Sequence, residues 1–217
     1  MSPHMAKFDH HLHTDRHSPD SIIDPLELIA RAREIGLDGV VITEHDHQWE
    51  REELSELAEA AGGLKVFSGA EVSAREGHFL VYGLPDLEEA PPGVTLRELI
   101  EVVQAHGAAI VAAHPFRWDQ NFDAIIAEHG PVFDALEFVS NNVSSDTREK
   151  TRRVLDRNTT LGATGSSDGH EIDVVGCYFT EFSCPVNSMK DFVRALRGRL
   201  GRPRHRPGAF HSSGPVG

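Results

Sequence analysis

The chain has 217 residues, 39% of them hydrophobic, which is enough to bury the core of one medium-sized domain. Its apolar runs all fall short of the length that crosses a bilayer, so we expect no contact with a membrane. The net charge of −13 is concentrated in residues 1–189, where 14 basic and 33 acidic side chains leave −19, a balance that disfavours binding to a long nucleic acid.

Short apolar runs alternate along the chain with segments of helical periodicity. The first predicted strand covers residues 8–12, and the first helix starts at Asp24-Pro25, an N-cap followed by a proline at the first helical position, and ends at Gly36. Further strands are predicted at 39–43, 65–73, 78–83, 109–113, 135–139, 161–165 and 175–182, and further helices at 50–61, 96–106, 122–128, 147–156 and from the cap at 188 to 197. Repeated strand–helix units predict an α/β fold with a mostly parallel sheet, whose functional side chains lie beyond the carboxyl ends of the strands.

The carboxyl-terminal part differs in composition from the rest. From Lys190 onward there are seven basic residues and one acidic residue, and the segment 199–208 is rich in proline, glycine and arginine. Such a composition predicts a disordered basic tail at 199–217 after a folded domain at 6–198, and its alternatives are folding back on the acidic body or contact with nucleic acid. The amino terminus lacks the charged-then-apolar layout of a signal peptide, and the two cysteines match no zinc-ligand spacing, so we expect reduced thiols in a cytoplasmic protein.

Residue types that bind metal ions stand at the ends or edges of several predicted strands. Histidine is the most unusual feature of the composition, with 14 in the chain. Neutral imidazoles and carboxylates are ligands for borderline divalent ions such as zinc, manganese and iron. These residues fall into six groups along the chain. Five of the groups follow the carboxyl end of a predicted strand, while the sixth, His78, stands at the start of one. We therefore predict that one pocket gathers nine ligands, which are His11, His13, Asp20, His45, Glu71, His78, His114, Asp168 and His170.

The order of these residues along the chain resembles that of the PHP (polymerase and histidinol phosphatase) domain superfamily. The resemblance runs from Phe8 to Phe182, and its motifs are DHHLHT (9–14) with SPD (18–20), ITEHD (42–46), GAEV (69–72), HFLVYGL (78–84), AHP (113–115) and GSSDGH (165–170). No single motif is specific, whereas the ordered set is. The resemblance implies a small single-domain metal-dependent phosphoesterase, built as a distorted (β/α)7 TIM-like barrel that holds two or three divalent ions (zinc, manganese or iron) at the carboxyl ends of its strands.

Carried over by position, the resemblance implies three ion sites. The first ion would be held by His11, His13, Glu71 and Asp168. Glu71 would bridge to a second ion held by His78 and His114, and a third would be held by Asp20, His45 and His170. His17 lies close enough in the chain to compete for the third ion, but the family tends to place an acid at Asp20. The chain departs from the usual pattern at His10, where an apolar residue is common, and at Glu44, where aspartate is.

Other side chains beside the motifs are candidates for binding substrate or for orienting the ligands. Arg117 is the best phosphate-binding candidate, because a guanidinium holds two phosphate oxygens in a fork, and a surface salt bridge is its alternative role. Asn141 either contacts substrate or caps its loop. Asp9 and Thr43 are predicted to orient imidazoles, and Glu44 either does the same or shuttles protons.

The resemblance and the ligand set together predict a hydrolase of phosphoric ester bonds. We expect a phosphatase that acts on a small phosphorylated metabolite by attack of a metal-bound hydroxide, with Asp168 at the metal, Arg117 on the phosphate, and His170 as a candidate acid for the leaving group. Three alternatives stay open: a phosphodiesterase or exonuclease acting on nucleotides or short nucleic acid ends, a non-catalytic metal-binding module, and a hydrolase of C–N bonds. The oligomeric state stays open as well.

Overall fold

Strands of four to six residues form two five-stranded sheets in the computed structural model, which describes residues 5–208. The strands are β1 Ala6–Asp9, β2 Gly39–Ile42, β3 Lys65–Ser68, β4 Ala70–Ala74, β5 Gly77–Tyr82, β6 Ala109–Ala112, β7 Ala135–Val139, β8 Gly162–Gly165, β9 Tyr178–Phe182 and β10 Gly201–His205. The helices are α1 Pro25–Glu34, α2 Arg51–Ala60, α3 Leu96–His106, α4 Phe122–His129, α5 Ser145–Arg157 and α6 Met189–Arg197. Two short 3-10 turns cover Arg117–Asp119 and Ile172–Val174.

The two sheets mix parallel and antiparallel pairs. The first has the order β10-β9-β1-β2-β3, in which β1, β2 and β3 are parallel and β9 and β10 are antiparallel to their neighbours. The second has the order β4-β5-β6-β7-β8, in which β6, β7 and β8 are parallel and β5 is antiparallel to both β4 and β6. The prediction of one mostly parallel sheet is therefore wrong. The two-residue turn between β4 and β5 accounts for one antiparallel pair, because so short a connection joins antiparallel strands. The pairs β5–β6, β1–β9 and β9–β10 are antiparallel as well.

The two sheets touch each other at the predicted ligand motifs. One isolated parallel bridge pairs Leu12 with Gly169, and another pairs His45 with Glu71. Leu12 lies between two predicted ligands, and so does Gly169. Within residues 5–208 the strand pairings do not close into a barrel, so the distorted (β/α)7 barrel stays a prediction.

Helices cover the sheets through apolar faces that the sequence pattern anticipates. In α3 the Thr95 side chain accepts from the Glu98 amide, the Glu98 carboxylate reaches back to the Thr95 amide, and Gly107 ends the helix with φ of 64°. Four residues of this helix are buried against the second sheet: Leu96, Leu99, Ile100 and Val103. The predicted bounds of α3 and β7 are confirmed. No helix within the described range has the length and apolar character needed to cross a membrane.

The segment after α6 is ordered where the composition predicted disorder. Strand β10 pairs antiparallel with β9 at the edge of the first sheet, and the Arg204 guanidinium lies 2.7 Å from the Glu181 carboxylate. The prediction of disorder is therefore wrong for Gly201–His205, because an open sheet edge and an acidic partner offset the basic, proline-containing composition. The domain boundary at residue 198 stays a prediction, and residues 209–217 of the predicted tail lie outside the described residues.

Candidate metal centre

All nine predicted ligands gather at one cavity where the two sheets meet. The cavity has a volume of about 280 Å³ and is lined by seven of the nine, together with Arg117, Trp118, Asn141 and Asn142. The other two ligands, His11 and His13, are fully buried and lie against Glu71 and Asp168. The convergence that the sequence predicts is therefore present.

Four side chains form the buried floor of the cavity. His11 Nε2 lies 3.2 Å from Glu71 Oε2 and 3.3 Å from Asp168 Oδ1, and His13 Nε2 lies 3.2 Å and 3.6 Å from the same two oxygens. Both Nε2 atoms are buried, and their contacts with the two carboxylates do not have hydrogen-bond geometry. Buried polar atoms without partners are costly unless something binds them. A divalent ion would bind both imidazoles and offset both carboxylates, so this group fits the first predicted ion.

Glu71 also faces a second group of imidazoles. Its Oε1 lies 2.9 Å from His78 Nδ1 and 3.1 Å from His114 Nε2, while its Oε2 faces the floor. One carboxylate thus presents an oxygen to each group, as a bridging ligand requires. His78 stands at the start of β5, but β5 runs antiparallel to β6, so this start lies at the same edge as the end of β6. Its exceptional position in the sequence is explained by strand direction.

The third group contains Asp20 rather than His17. Asp20 Oδ2 lies 3.2 Å from His45 Nε2 and 3.2 Å from His170 Nε2. His45 also connects this group to Glu71, since its Nδ1 lies 3.1 Å from Glu71 Oε2. His17 instead lies 3.3 Å from the Glu53 carboxylate, away from the cavity. Ligation of ions by all nine residues stays a prediction, and the geometry fits it.

The charges of the floor favour binding of a cation. Burial alone would raise the pKa of Glu71 and of Asp168, but the neighbouring imidazoles, His11 above all, hold the pKa of each carboxyl well below its ordinary value. Burial would lower the pKa of His13, but the close carboxylates of Asp168 and Glu71 raise it to about 9. Without metal, the rings of His11 and His13 therefore favour the protonated form beside the ionised carboxylates. A divalent ion would take the place of these protons.

Glu137, a buried acid that sequence reasoning missed, fixes two of the ligands. Its Oε1 lies 2.9 Å from His11 Nδ1 and accepts from Ser166 Oγ, and its Oε2 accepts from the His114 amide at 2.9 Å. With a proton held on Nδ1, His11 can turn its Nε2 lone pair toward an ion. A signal was present, because Glu137 is an acid in the middle of the apolar run Ala135–Val139.

Glu44 orients other ligands through Ser18. The buried Glu44 carboxylate accepts from the Thr14 amide at 3.0 Å, from Trp49 Nε1 at 3.0 Å, and from the hydroxyls of Thr14 and Ser18. Ser18 Oγ in turn lies 3.3 Å from His13 Nδ1 and accepts from the His45 amide at 3.2 Å. Glu44 does not line the cavity, so its position suits the predicted orienting role better than proton transfer.

Asp9 and Thr43, which were predicted to orient imidazoles, bond to backbone instead. Asp9 accepts from the amides of Ser167 and Gly176, and Thr43 Oγ1 accepts from the Leu12 amide. They therefore fix the loops that carry the ligands and not the rings themselves. The prediction failed because the pairing of neighbouring strands decides which atoms these side chains contact. The local sequence does not show that pairing.

The rim of the cavity carries Arg117 and an exposed tryptophan. Arg117 Nη1 lies 3.5 Å from Asp168 Oδ2, and its guanidinium stacks on the Trp118 ring at 4.1 Å. Asn142 donates to Asp168 Oδ2 at 2.7 Å. Trp118 is 67% exposed, and its ring centroid lies 5.3 Å from that of His78. Sequence reasoning missed both Trp118 and Asn142, although each stands within four residues of a predicted site residue.

Several residues of the centre adopt a backbone conformation that side chains rarely tolerate. His114 has φ of 27°, Asp168 has φ of 52°, and Phe116 and Trp118 also have positive φ. Such strain costs on the order of 1–3 kcal/mol per residue and persists where the surroundings impose it. Two predicted ligands and the exposed tryptophan are therefore held in place against local preference, which is typical of functional sites.

Comparisons with known proteins place the chain among PHP proteins. The PHP domain matches residues 9–116, and the PHP-associated region matches residues 149–200. The uncharacterized protein MJ1587 of Methanocaldococcus jannaschii is 30% identical over 119 residues, which are 51% of this chain and 68% of that protein. Among solved structures, a two-domain protein from Bacteroides vulgatus that contains a predicted PHP-like metal-dependent phosphoesterase aligns with a TM-score of 0.71 and 20% identity, over 93% of this chain and 65% of its own length. The lesion-specific endonuclease PfuEndoQ from Pyrococcus furiosus aligns with a TM-score of 0.67 and 17% identity, over 93% of this chain and 58% of its own length.

Proposed function

Because this chain belongs to the PHP domain family, we propose that it is a metal-dependent phosphoesterase, and more narrowly a phosphatase that acts on a small phosphorylated metabolite. The observation that carries the proposal is the convergence of nine ligand-type side chains on one small cavity with Arg117 at its rim. This combination supplies a place for several cations and a fixed positive group for a phosphate.

The chain's own residues fit a centre of two or three ions. His11, His13, Glu71 and Asp168 would hold the first, Glu71 with His78 and His114 the second, and Asp20 with His45 and His170 the third. When bound, divalent ions such as zinc, manganese or iron polarise phosphate oxygens and lower the pKa of a coordinated water to about 7. The protein contributes the fixed directions of the rings, which Glu137 and the Glu44–Ser18 pair impose.

Arg117 would bind the phosphate. Its side chain is 29% exposed at the rim, so the guanidinium can reach a phosphate in the cavity while staying near Asp168. Two of its N–H groups can bind two phosphate oxygens, which lysine cannot reproduce. Asn141 and Asn142 line the same wall and add amide groups. The volume of about 280 Å³ lies at the low end for ligand pockets, which favours a phosphate group on a small body.

His170 suits the role of ligand better than that of leaving-group acid. Its Nε2 lies 3.2 Å from Asp20 Oδ2, and its Nδ1 lies 3.2 Å from the Asp168 carbonyl oxygen. One ring nitrogen therefore faces Asp20 of the third site and the other faces the backbone of Asp168, so both already have protein neighbours. We assign it to the third site.

A phosphodiesterase or nuclease acting on nucleotides or on short nucleic acid ends is the second candidate. The exposed Trp118 ring at the rim favours it, because a base can stack on an indole, and so does the likeness in fold to PfuEndoQ. The charge of −19 on residues 1–189 argues against a long polyanion. The phosphatase proposal therefore stands first.

Hydrolysis of p-nitrophenyl phosphate and of its bis-ester tests the proposal. The protein would be reconstituted separately with manganese, zinc and iron, its bound ions counted, and Asp168→Asn used as the matched variant. Turnover of the monoester that Asp168→Asn abolishes is the expected result. A preference for the bis-ester would favour the second candidate. No turnover of either ester, with two or more ions bound to each chain, would refute both and leave a metal-binding module or a hydrolase of C–N bonds.

A further inference from the structure

A second group of ligand-type side chains lies outside the cavity. His17 Nε2 lies 3.3 Å from Glu53 Oε2, and the rings of His17 and His47 stack with their centroids 3.9 Å apart. One nitrogen from each ring and one Glu53 oxygen all lie within 4.8 Å of one another. His17 belongs to the loop between β1 and α1, His47 to the loop before α2, and Glu53 to the first turn of α2.

The Nε2 atoms of His17 and His47 resemble those of His11 and His13 in the floor of the main centre. Both atoms are shielded from water and make no hydrogen bond, although His17 Nε2 lies at ion-pair distance from Glu53 Oε2. Two such shielded nitrogens beside one carboxylate mark a place for a cation. His129 also has an unpaired Nε2, but its near carboxylate, Glu128 at 3.7 Å, belongs to a mostly exposed side chain, and the two form no three-ligand group.

The surroundings hold this group in shape. The Trp49 ring stands edge-on to His17, with the centroids 5.2 Å apart, and the Arg16 guanidinium lies over the Trp49 ring, 5.7 Å from its centroid. Arg16 Nε lies 3.5 Å from Glu53 Oε1, which leaves Oε2 facing His17. The Glu53 carboxylate also receives the Glu50 amide at 3.4 Å, so its position is set by the start of α2.

We propose that His17, His47 and Glu53 form a separate site for one borderline divalent ion, such as zinc or nickel. Two imidazole nitrogens and one carboxylate oxygen are a ligand set that such ions prefer, and water would complete the coordination. The ion would tie the loop after β1 to the beginning of α2. It would also lie beside Trp49, whose indole donates to Glu44, the acid that reaches His13 through Ser18.

Counting bound zinc tests the site directly. The double variant His17→Ala, His47→Ala should bind one zinc ion fewer per chain than the wild type after dialysis against buffered zinc. His106→Ala, which removes a histidine of α3 outside both groups, should bind as many ions as the wild type. Glu53→Gln, which keeps the shape of the side chain, should lower the affinity for the same ion by roughly tenfold or more. An unchanged count in the double variant, or an equal loss in His106→Ala, would overturn the proposal.

A fluorescence measurement distinguishes a missing site from a misfolded variant. The chain has two tryptophans, so Trp118→Phe leaves Trp49 as the single indole. Nickel should quench Trp49 in two phases in this background, and the phase due to the new site should vanish in the double histidine variant and persist in Asp168→Asn. Loss of that phase in Asp168→Asn, or its survival in the double variant, would assign the quenching to the main centre and refute the proposal. Failure of phosphatase activity alone would not affect it.

Discussion

Replacing Glu137 with glutamine would test whether a buried acid behind the ligands sets the affinity for metal. The carboxylate accepts from the His114 amide at 2.9 Å, lies 2.9 Å from His11 Nδ1, and accepts from Ser166 Oγ. Glutamine keeps the shape but replaces one acceptor oxygen with an NH2 group. The new NH2 group then faces either His11 Nδ1 or the His114 amide. If it faces His11, the ring loses the acceptor that holds its proton on Nδ1.

The expected loss can be worked from this geometry. Removing the partner of a metal-binding histidine typically weakens metal binding by roughly 10- to 100-fold. That corresponds to about 1.4–2.8 kcal/mol. We therefore expect Glu137→Gln to raise the Kd for the first zinc ion within that range, measured by competition with a chromophoric chelator.

Two measurements control for loss of folding. Glu101→Gln changes an exposed acid of α3 in the same way and should leave zinc affinity unchanged. Thermal unfolding of the metal-free Glu137→Gln protein shows whether it folds before metal is added. A folded Glu137→Gln protein that binds zinc as tightly as the wild type would refute the assignment of Glu137 as the residue that orients His11.

Three further predictions concern the rim and the charge of the floor. Arg117→Lys should lower kcat/KM for p-nitrophenyl phosphate by roughly 10-fold or more, because the forked contact is lost, and an unchanged value would remove Arg117 from the phosphate site. If a base stacks on Trp118, Trp118→Ala should raise KM for nucleotides by roughly 5- to 100-fold and leave KM for glycerol phosphate unchanged. Equal changes in KM for both substrates would exclude stacking. Since burial lowers the pKa of His13 but Asp168 and Glu71 raise it to about 9 in the metal-free protein, zinc must displace a proton near neutral pH, and its affinity should rise as pH rises toward that value. Calorimetric titrations in buffers of different ionisation enthalpy should detect the released proton, and identical heats would contradict the prediction.

Most of the predicted ligands could be found because they stand in a local pattern, a polar residue after a short apolar strand. His78 stands at the start of its strand instead, and Asp20 lies in the loop after β1. Strand direction could not be predicted in this way, and it decides where His78 lies. Glu137 was missed for a related reason, since an acid inside an apolar strand becomes informative only when its neighbours on the next strands are known. The ring of His11 and the amide of His114 reach Glu137 from 126 and 23 residues away in the chain.

His10, where the usual family pattern has an apolar residue, is accommodated by partners that are also distant in the chain. Its Nδ1 lies 2.7 Å from the Tyr82 hydroxyl, and its Nε2 lies 3.1 Å from Thr180 Oγ1. Burial lowers the pKa of His10 to about 4, so the ring is neutral at neutral pH. A neutral imidazole with both ring nitrogens hydrogen-bonded can replace an apolar side chain in the core, because no charge is buried.

The position of Glu71 depends on a break in a strand that the sequence pattern hides. The apolar run at 65–73 favours one strand, whereas β3 ends before Gly69 and β4 begins after it. A Cβ at Gly69 would lie 2.7 Å from the Val81 carbonyl oxygen and 2.8 Å from the Tyr82 ring, so the close approach requires glycine. Here the chain leaves its partner β2 and pairs with β5 in the other sheet. Glu71 therefore lies on the line where the sheets meet, and its two oxygens can face imidazoles from both sides. The predicted bridging acid thus stands at the point where one strand changes sheets, between predicted ligands that come from both sheets.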